Sequence, residues 1–381
     1  MADYGEFNGE RLKFARIYRG KTIVGLAEEI GVTKQAISQF EKGINPPKFE
    51  TLMKIMSSLE FPREFFFQET NVDTKIGNSY FRALLGATKN EKEFQIKRIE
   101  LISRIRYFLE QYIDFPQLNL PVDDDRVKTI EERAEDLRTL WGIDDKPISN
   151  IVYLMEKNGI NITTIKTREF SIDAFTQMQR YKNREYYFTV LGDDKYSGAR
   201  RQFSAAHELG HIILHESVVD TDEIDNIDYK QMENEANQFA SAFLLPRDAF
   251  SGDLIYPNKL DFYVELKKKW RVSIAAMIMR AHQLDAINLY QYQYLMKQIN
   301  IKGWKKQEPL DDMLPLQQPT VMKRAIDVIL DNGVLDGDGI VYELSRFGTA
   351  LNKKEIENLL GLEQGRLNSN FTKGVVIELK R

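Results

Sequence analysis

The sequence predicts a multidomain, mainly helical protein: a five-helix bundle at the N-terminus, a mixed α+β core with a small sheet, and a helical C-terminal segment. Three observations predict it. Apolar residues recur at helical spacing along most of the 381 residues. Only residues 160–165 and 185–191, flanking a less regular strand-like piece around Asp173-Ala-Phe-Thr, are rich in β-branched and aromatic side chains. Pro116, Pro121 and the acidic run Asp123-Asp124-Asp125 punctuate the chain ahead of that core. The expected units are 1–70, a connector at 71–125, the core at 126–290 and a tail at 291–381.

A chain of this length builds two to four domains with real cores. Its hydrophobic content of 43% is ordinary for a globular protein. No run of 18 apolar residues exists, so no helix is expected to span a membrane. The start, Met-Ala-Asp-Tyr-Gly-Glu, lacks the basic and apolar regions of a signal peptide, and a cytoplasmic protein is expected. Absence of cysteine excludes disulfides and thiolate-bound zinc. With a formal charge of −4, nucleic-acid binding must come from a local patch.

Residues 10–67 read as short helices. Residues 23–30 form one, Gly31-Val32-Thr33 a turn, and 34–42 a second, N-capped by Thr33. Ala27, Gly31, Ile37 and Phe40 take the positions a helix-turn-helix needs: a small residue for close crossing, a glycine for the turn, two apolar residues to bury the second helix. The exposed face then carries Lys34, Gln35, Ser38 and Gln39, whose amides and ammonium suit base edges and phosphates of a major groove. The first 70 residues hold ten basic and ten acidic side chains, a neutral balance that equally suits a protein-docking bundle. Glu41-Lys-Gly-Ile-Asn-Pro-Pro, Leu52-Met-Lys-Ile and Phe61-Pro-Arg-Glu-Phe-Phe add to the pattern. Over some 55 residues the segment resembles the Cro/phage-repressor (Xre-like) DNA-binding domain. That resemblance implies DNA reading by Thr33, Lys34, Gln35, Ser38 and Gln39, and operator binding as a dimer on paired half-sites.

In the connector, residues 71–86 are rich in turn residues and include Tyr80-Phe-Arg-Ala-Leu-Leu; 91–113 reads as one long helix. Its broad apolar stripe suits packing on a partner subunit or on the core. Lys89, Lys92, Lys97, Arg98, Arg104 and Arg106 alternate with acids and read as a solvated face.

Helices are expected at 127–140 and 148–158, then the small sheet, then a helix carrying His207-Glu208-Leu-Gly-His211. Two imidazoles four apart share one helix face and can reach one tetrahedral zinc, with Glu208 beside a water in the open position. Further on, Ala236, Phe239, Ala240, Phe243 and Leu244 form an apolar stripe closed by Pro246. Glu233 lies three, seven and ten residues before Ala236, Ala240 and Phe243, on their inward face, where a carboxylate needs a partner or a metal. Asn237, one turn on, is placed to brace a ligand. Glu235 points about 160° away and is the weaker alternative. His215 sits eight residues after His207, where the long-form zinc signature needs a histidine ten after, at Ser217. It therefore braces a ligand, faces substrate or is structural. His282, on an apolar helix at 274–284, reads as a satisfied histidine. Tyr186, Tyr187 and His215 stay open as groups that could face a developing oxyanion. An open strand edge beside the zinc helix would suit an extended peptide.

Ile172-Asp-Ala-Phe, Arg200-Arg-Gln-Phe-Ser-Ala-Ala-His-Glu-Leu-Gly-His-Ile-Ile-Leu-His215 and Glu233-Asn-Glu-Ala-Asn-Gln-Phe-Ala, with Leu-Leu-Pro246, together resemble the ImmA/IrrE-type metallopeptidase family across about residues 126–285. That resemblance implies a zincin-like fold, a Zn2+ cofactor held by His207, His211 and Glu233, and Glu208 as the catalytic base. It also implies an intracellular enzyme that cleaves helix-turn-helix repressors or antitoxin-like partners, itself among the substrates to consider. The competing reading is a non-proteolytic transcription factor whose metal domain senses a ligand or serves as a structural or docking module. Helices at 319–332 and 353–360 close the sequence; the second resembles a helix-turn-helix only loosely, and a helical packing or regulatory domain is expected there.

Overall fold

Side chains that accept backbone N–H groups open most of the helices, and they stand where the sequence puts Asn, Thr, Ser or Asp before an apolar run. The computed structural model describes residues 6–69, 88–122, 127–165, 174–193, 197–215 and 226–368, and the backbone of 74–80. The run Asp123–Asp125, the Ile172-Asp173 pair, Ser217 and most of Tyr80-Phe-Arg-Ala-Leu-Leu lie outside the described residues.

In the N-terminal bundle, α1 (Gly9–Tyr18) is capped by Asn8, α2 (Ile23–Ile30) by Thr22 and α3 (Lys34–Glu41) by Thr33. α4 (Phe49–Leu59) and a 3-10 turn (Arg63–Phe67) complete it. Gly31 ends α2 at φ 73°, a left-handed turn that lets α3 cross α2. Gly9 lets α1 touch the end of α3: a Cβ there would lie 2.2 Å from the Phe40 carbonyl oxygen. Between them Arg16 and Glu41 form a buried pair at 2.5 Å.

The chain next forms β1 (Thr74–Tyr80), then α5 (Lys89–Leu109), opened by a capping box of Thr88 and Glu91. The stretch expected to be turn-rich thus contributes a strand. The solvated cationic face expected on α5 is also corrected. Arg104 and Arg106 are buried, paired with Glu100 at 2.7 Å and Glu110 at 2.5 Å, and half-buried Arg98 donates to Thr163 Oγ1 and the Thr164 carbonyl. These guanidiniums find acceptors and aromatic faces, Arg106 lying 3.4 Å from the Phe115 ring centre, so burial costs them less than isolated charges.

The core runs α6 (Ile130–Leu140), α7 (Ile151–Lys157), β2 (Asn161–Ile165), β3 (Ala174–Tyr181), β4 (Arg184–Gly192), α8 (Gly198–Leu214) and α9 (Asn226–Leu244). It continues through α10 (Arg247–Asp253), α11 (Leu260–Trp270), α12 (Ile274–Gln283) and α13 (Leu289–Ile301). The tail holds α14 (Val321–Asp331), α15 (Gly337–Arg346) and α16 (Lys353–Leu360). The sheet order is β1-β3-β4-β2. β3 runs antiparallel to both β4 and β1, and β2 runs parallel to β4. β1 therefore covers the outer edge of β3.

The sheet divides two apolar cores. Tyr186, Phe188 and Val190 of β4 face one, shared by the N-terminal bundle, α5 and the tail helices. Tyr187 and Leu191, on the alternate face, join the other with α6 to α9 and α11 to α13. The partner expected for α5 is thus the bundle, the sheet and the tail of its own chain. Before α8, Ser197 Oγ donates to Asp311 at 2.7 Å, and buried Lys267 reaches Asp311 at 2.6 Å and Glu308 at 2.7 Å. That hydrogen-bonded network, its carboxylates accepting also from Ser197 and from backbone N–H groups, fixes the start of α8 against the segment leading to the tail. Among the described residues no helix is long and apolar enough to cross a membrane.

Candidate metal centre and nucleic-acid interface

α8 and α9 meet face to face because neither carries bulk where they cross. A Cβ on Gly210 would lie 3.2 Å from both Cα and carbonyl oxygen of Ala236. The crossing puts Glu233, one turn before Ala236, over the two imidazoles of α8. Glu233 Oε2 stands 3.4 Å from His207 Nε2, its Oε1 3.4 Å from His211 Nε2, and the two Nε2 atoms are 3.1 Å apart. All three residues are buried, and one ligand atom from each lies within 4.8 Å of the others.

The remaining polar atoms of the three are engaged. His207 Nδ1 lies 3.1 Å from Asn237 Oδ1, an acceptor, which fixes the ring proton on Nδ1 and leaves a lone pair on Nε2. Tyr229 Oη donates to Glu233 Oε1 at 3.0 Å. His211 Nδ1 lies 3.2 Å from His215 Nδ1, and His215 Nε2 is 2.9 Å from Glu235 Oε2. Glu208 follows His207 along the helix and is 5% exposed.

Lone-pair donors from two imidazoles and a carboxylate converge in a buried space and could hold a metal ion there. Burial and the neighbouring charges act on the three groups in different balance. Burial opposes charge on His207, but the bond to Glu233 and the charges of Glu208 and Glu233 outweigh it and hold the imidazole above its usual range. On His211 burial wins, bringing it down to about 4. Burial also opposes the Glu233 carboxylate, yet its bonds to His207 and His211 keep it well below the carboxylate range. Two nitrogens and an oxygen at this spacing match in type the His2Glu donor set through which proteins can hold a metal ion.

Of the other residues singled out in the sequence, Asn237 and His215 each touch a histidine of this cluster. Glu235 does not reach the lone-pair cluster and meets His215 instead. Tyr186 faces the opposite side of the sheet, its hydroxyl donating to Glu110 at 3.1 Å, so it is removed from the groups that could face an oxyanion. His282 takes a structural place, with Nδ1 3.1 Å from the Ile287 carbonyl and its ring stacked on Tyr292. Tyr229 was not singled out; its signal was the four-residue spacing to Glu233, which puts it one turn away on the same helix face.

On α3, Thr33, Lys34, Gln35 and Gln39 are exposed and Ser38 is half-buried, with Ile37 in the core behind them. Thr33 Oγ1 accepts from the Ala36 amide at 3.1 Å and so starts the helix.

Residues 12–66 match the family model described as Helix-turn-helix. Residues 155–282, which contain the whole cluster, match Peptidase M78, the IrrE N-terminal-like domain. A helix-turn-helix domain and an IrrE-like peptidase domain share this chain. No curated protein matches the chain significantly. The IrrE-like match begins within α7 and ends within α12, so it takes in β2 to β4, α8 and α9 but not β1.

Proposed function

We propose that this chain is a DNA-binding regulator that hydrolyses peptide bonds with a zinc ion held by His207, His211 and Glu233. The observation that carries the reading is the convergence of three lone-pair donors beside Glu208 inside an IrrE-like domain. Bound zinc would supply a water of lowered pKa and polarise a carbonyl. The chain's own residues do the rest. Asn237 and Tyr229 orient His207 and Glu233. Glu208 takes the proton of the attacking water at its carboxylate and returns it to the leaving amine. The substrate is a protein partner, a transcriptional repressor or antitoxin-like protein, with the chain itself among the substrates. The supporting observation is a polar face at α3 in the same molecule, with Thr33, Lys34, Gln35 and Gln39 exposed and Ser38 half-buried, which we read as the face that contacts DNA. We place its action in the cytoplasm, where such a face meets DNA, and its operator binding on paired half-sites as a homodimer. Its working units are 1–70, 71–125, 126–290 and 291–381, the second lending β1 to the sheet of the third.

Glu208→Gln separates this from a transcription factor with an inert metal domain. The variant should hold zinc and operator DNA as the unsubstituted chain does and lose cleavage of the partner. Regulation in cells that survives the substitution would remove the peptidase from the account.

A further inference from the structure

Beyond the three donors, α8 and α9 share a second, outer line of contacts, from His211 to His215 to Glu235. His215 is 5% exposed and closes α8 as its C-cap. Glu235 lies on the side of α9 turned away from Glu233, its side chain 30% exposed. Gln231, one turn earlier, donates to Glu235 Oε1 at 2.9 Å and leaves Oε2 for His215.

We propose that His215 and Glu235 are positioning residues that fix the tautomer and ring orientation of His211 for metal binding. The inference rests on the metal site proposed above. If His211 offers Nε2 to the ion, its proton is on Nδ1. That nitrogen faces His215 Nδ1 at 3.2 Å, so the His215 Nδ1 must accept. The His215 proton is then on Nε2, and Nε2 faces the Glu235 carboxylate at 2.9 Å. With both rings neutral and Glu235 ionised, this assignment of protons is the one that satisfies every link, and it leaves the His211 lone pair on the atom that faces His207 and Glu233. A carboxylate at the far end also makes the inner imidazole a better donor, because it draws positive character outward along the chain. The arrangement accounts for the HExxH motif being followed by a histidine at the next turn: Asn237 braces His207 directly, whereas His211 is reached through an intermediate ring.

The test is zinc affinity of the full chain, measured by competition with a chromophoric chelator. Outer partners of metal-bound histidines typically contribute about 10–100-fold in affinity. His215→Phe, which keeps the ring volume, is expected to weaken zinc binding by about that factor, and Glu235→Leu by a similar factor. Because both act through one ring, the double variant should lose no more than the worse single variant. Glu235→Gln keeps an acceptor for His215 and should recover most of the affinity. Glu235 is partly exposed, so its substitutions leave a folded chain to measure even where His215→Phe does not. Full zinc affinity in Glu235→Leu, or losses that multiply in the double variant, would overturn the proposal. His211→Ala is the separate control: if zinc binding survives it, the metal site itself is wrong, not the outer line.

Discussion

At the scale of single residues, the site depends on what is missing at position 210. The glycine of His-Glu-Leu-Gly-His packs against the Ala236 backbone, and the next residue along that α9 face, one turn back, is Glu233. Gly210→Val would push two backbones apart where they now meet, and overpacking of this kind costs about 1–3 kcal/mol. The expected outcome is a lower midpoint of thermal unfolding together with weaker zinc binding, read by calorimetry and chelator competition on the same preparation. A variant that loses stability and keeps its zinc affinity would show that Glu233 does not depend on this crossing. The shared face of His207 and His211 and the inward face of Glu233, with Asn237 one turn on, were readable from helical spacing alone, because a turn of 3.6 residues puts these positions on defined faces. The link from His215 to Glu235 was not, since it spans two helices and depends on the crossing that Gly210 permits. Tyr186 and Tyr187, adjacent in sequence, could not be told apart until the pleat of β4 assigned them to opposite cores.

At the scale of elements, α3 and β1 show opposite degrees of legibility. α3 carries its own signals: a threonine cap, a left-handed glycine before it, and apolar residues on one side. β1 carries none, because a strand at a sheet edge is specified by the partner it pairs with, and β3 lies about a hundred residues on. Burial of Arg104 and Arg106 was hidden for the same reason, their acceptors and rings being set by the fold around α5. The exposed end of α3 permits a direct test of DNA reading. Lys34 stands at its first turn with its ammonium in solvent, placed for a phosphate or a guanine edge. Lys34→Ala should weaken binding to an operator fragment and reduce the slope of log affinity against log salt by about 1 if the contact is to phosphate. An unchanged slope with relaxed sequence preference would move the contact to a base. A wild-type chain with a flat salt slope would make the bundle a protein-docking module.

At the scale of the whole molecule, the DNA-binding bundle is joined to the tail rather than tethered. Glu355 of α16 accepts from the Tyr18 hydroxyl and from Arg19 at 2.6 Å, Asn352 donates to the Glu60 carbonyl at 2.9 Å, and Gln68 donates to the Ser345 carbonyl at 2.8 Å. Residues 277 to 337 positions apart thus meet across one core with α5, and that core rests on the face of the sheet opposite α8. Glu355 is the acceptor that two buried or half-buried donors require. Glu355→Leu keeps the bulk, orphans the buried Tyr18 hydroxyl and leaves Arg19 with the Leu59 carbonyl and solvent, a loss of about 2–3 kcal/mol, below the range for broken buried pairs because Arg19 keeps those contacts. If bundle and tail fold as one cooperative unit, hydrogen exchange should speed up in α1 and α16 together, while α8 and α9, in the other core, keep their protection. Faster exchange confined to α16 would mean that the bundle is stable by itself and that the seam merely positions it. Exchange rising throughout, α8 and α9 included, would mean that the sheet transmits the damage, and the metal centre and the DNA-reading face would then respond to one another through β3 and β4.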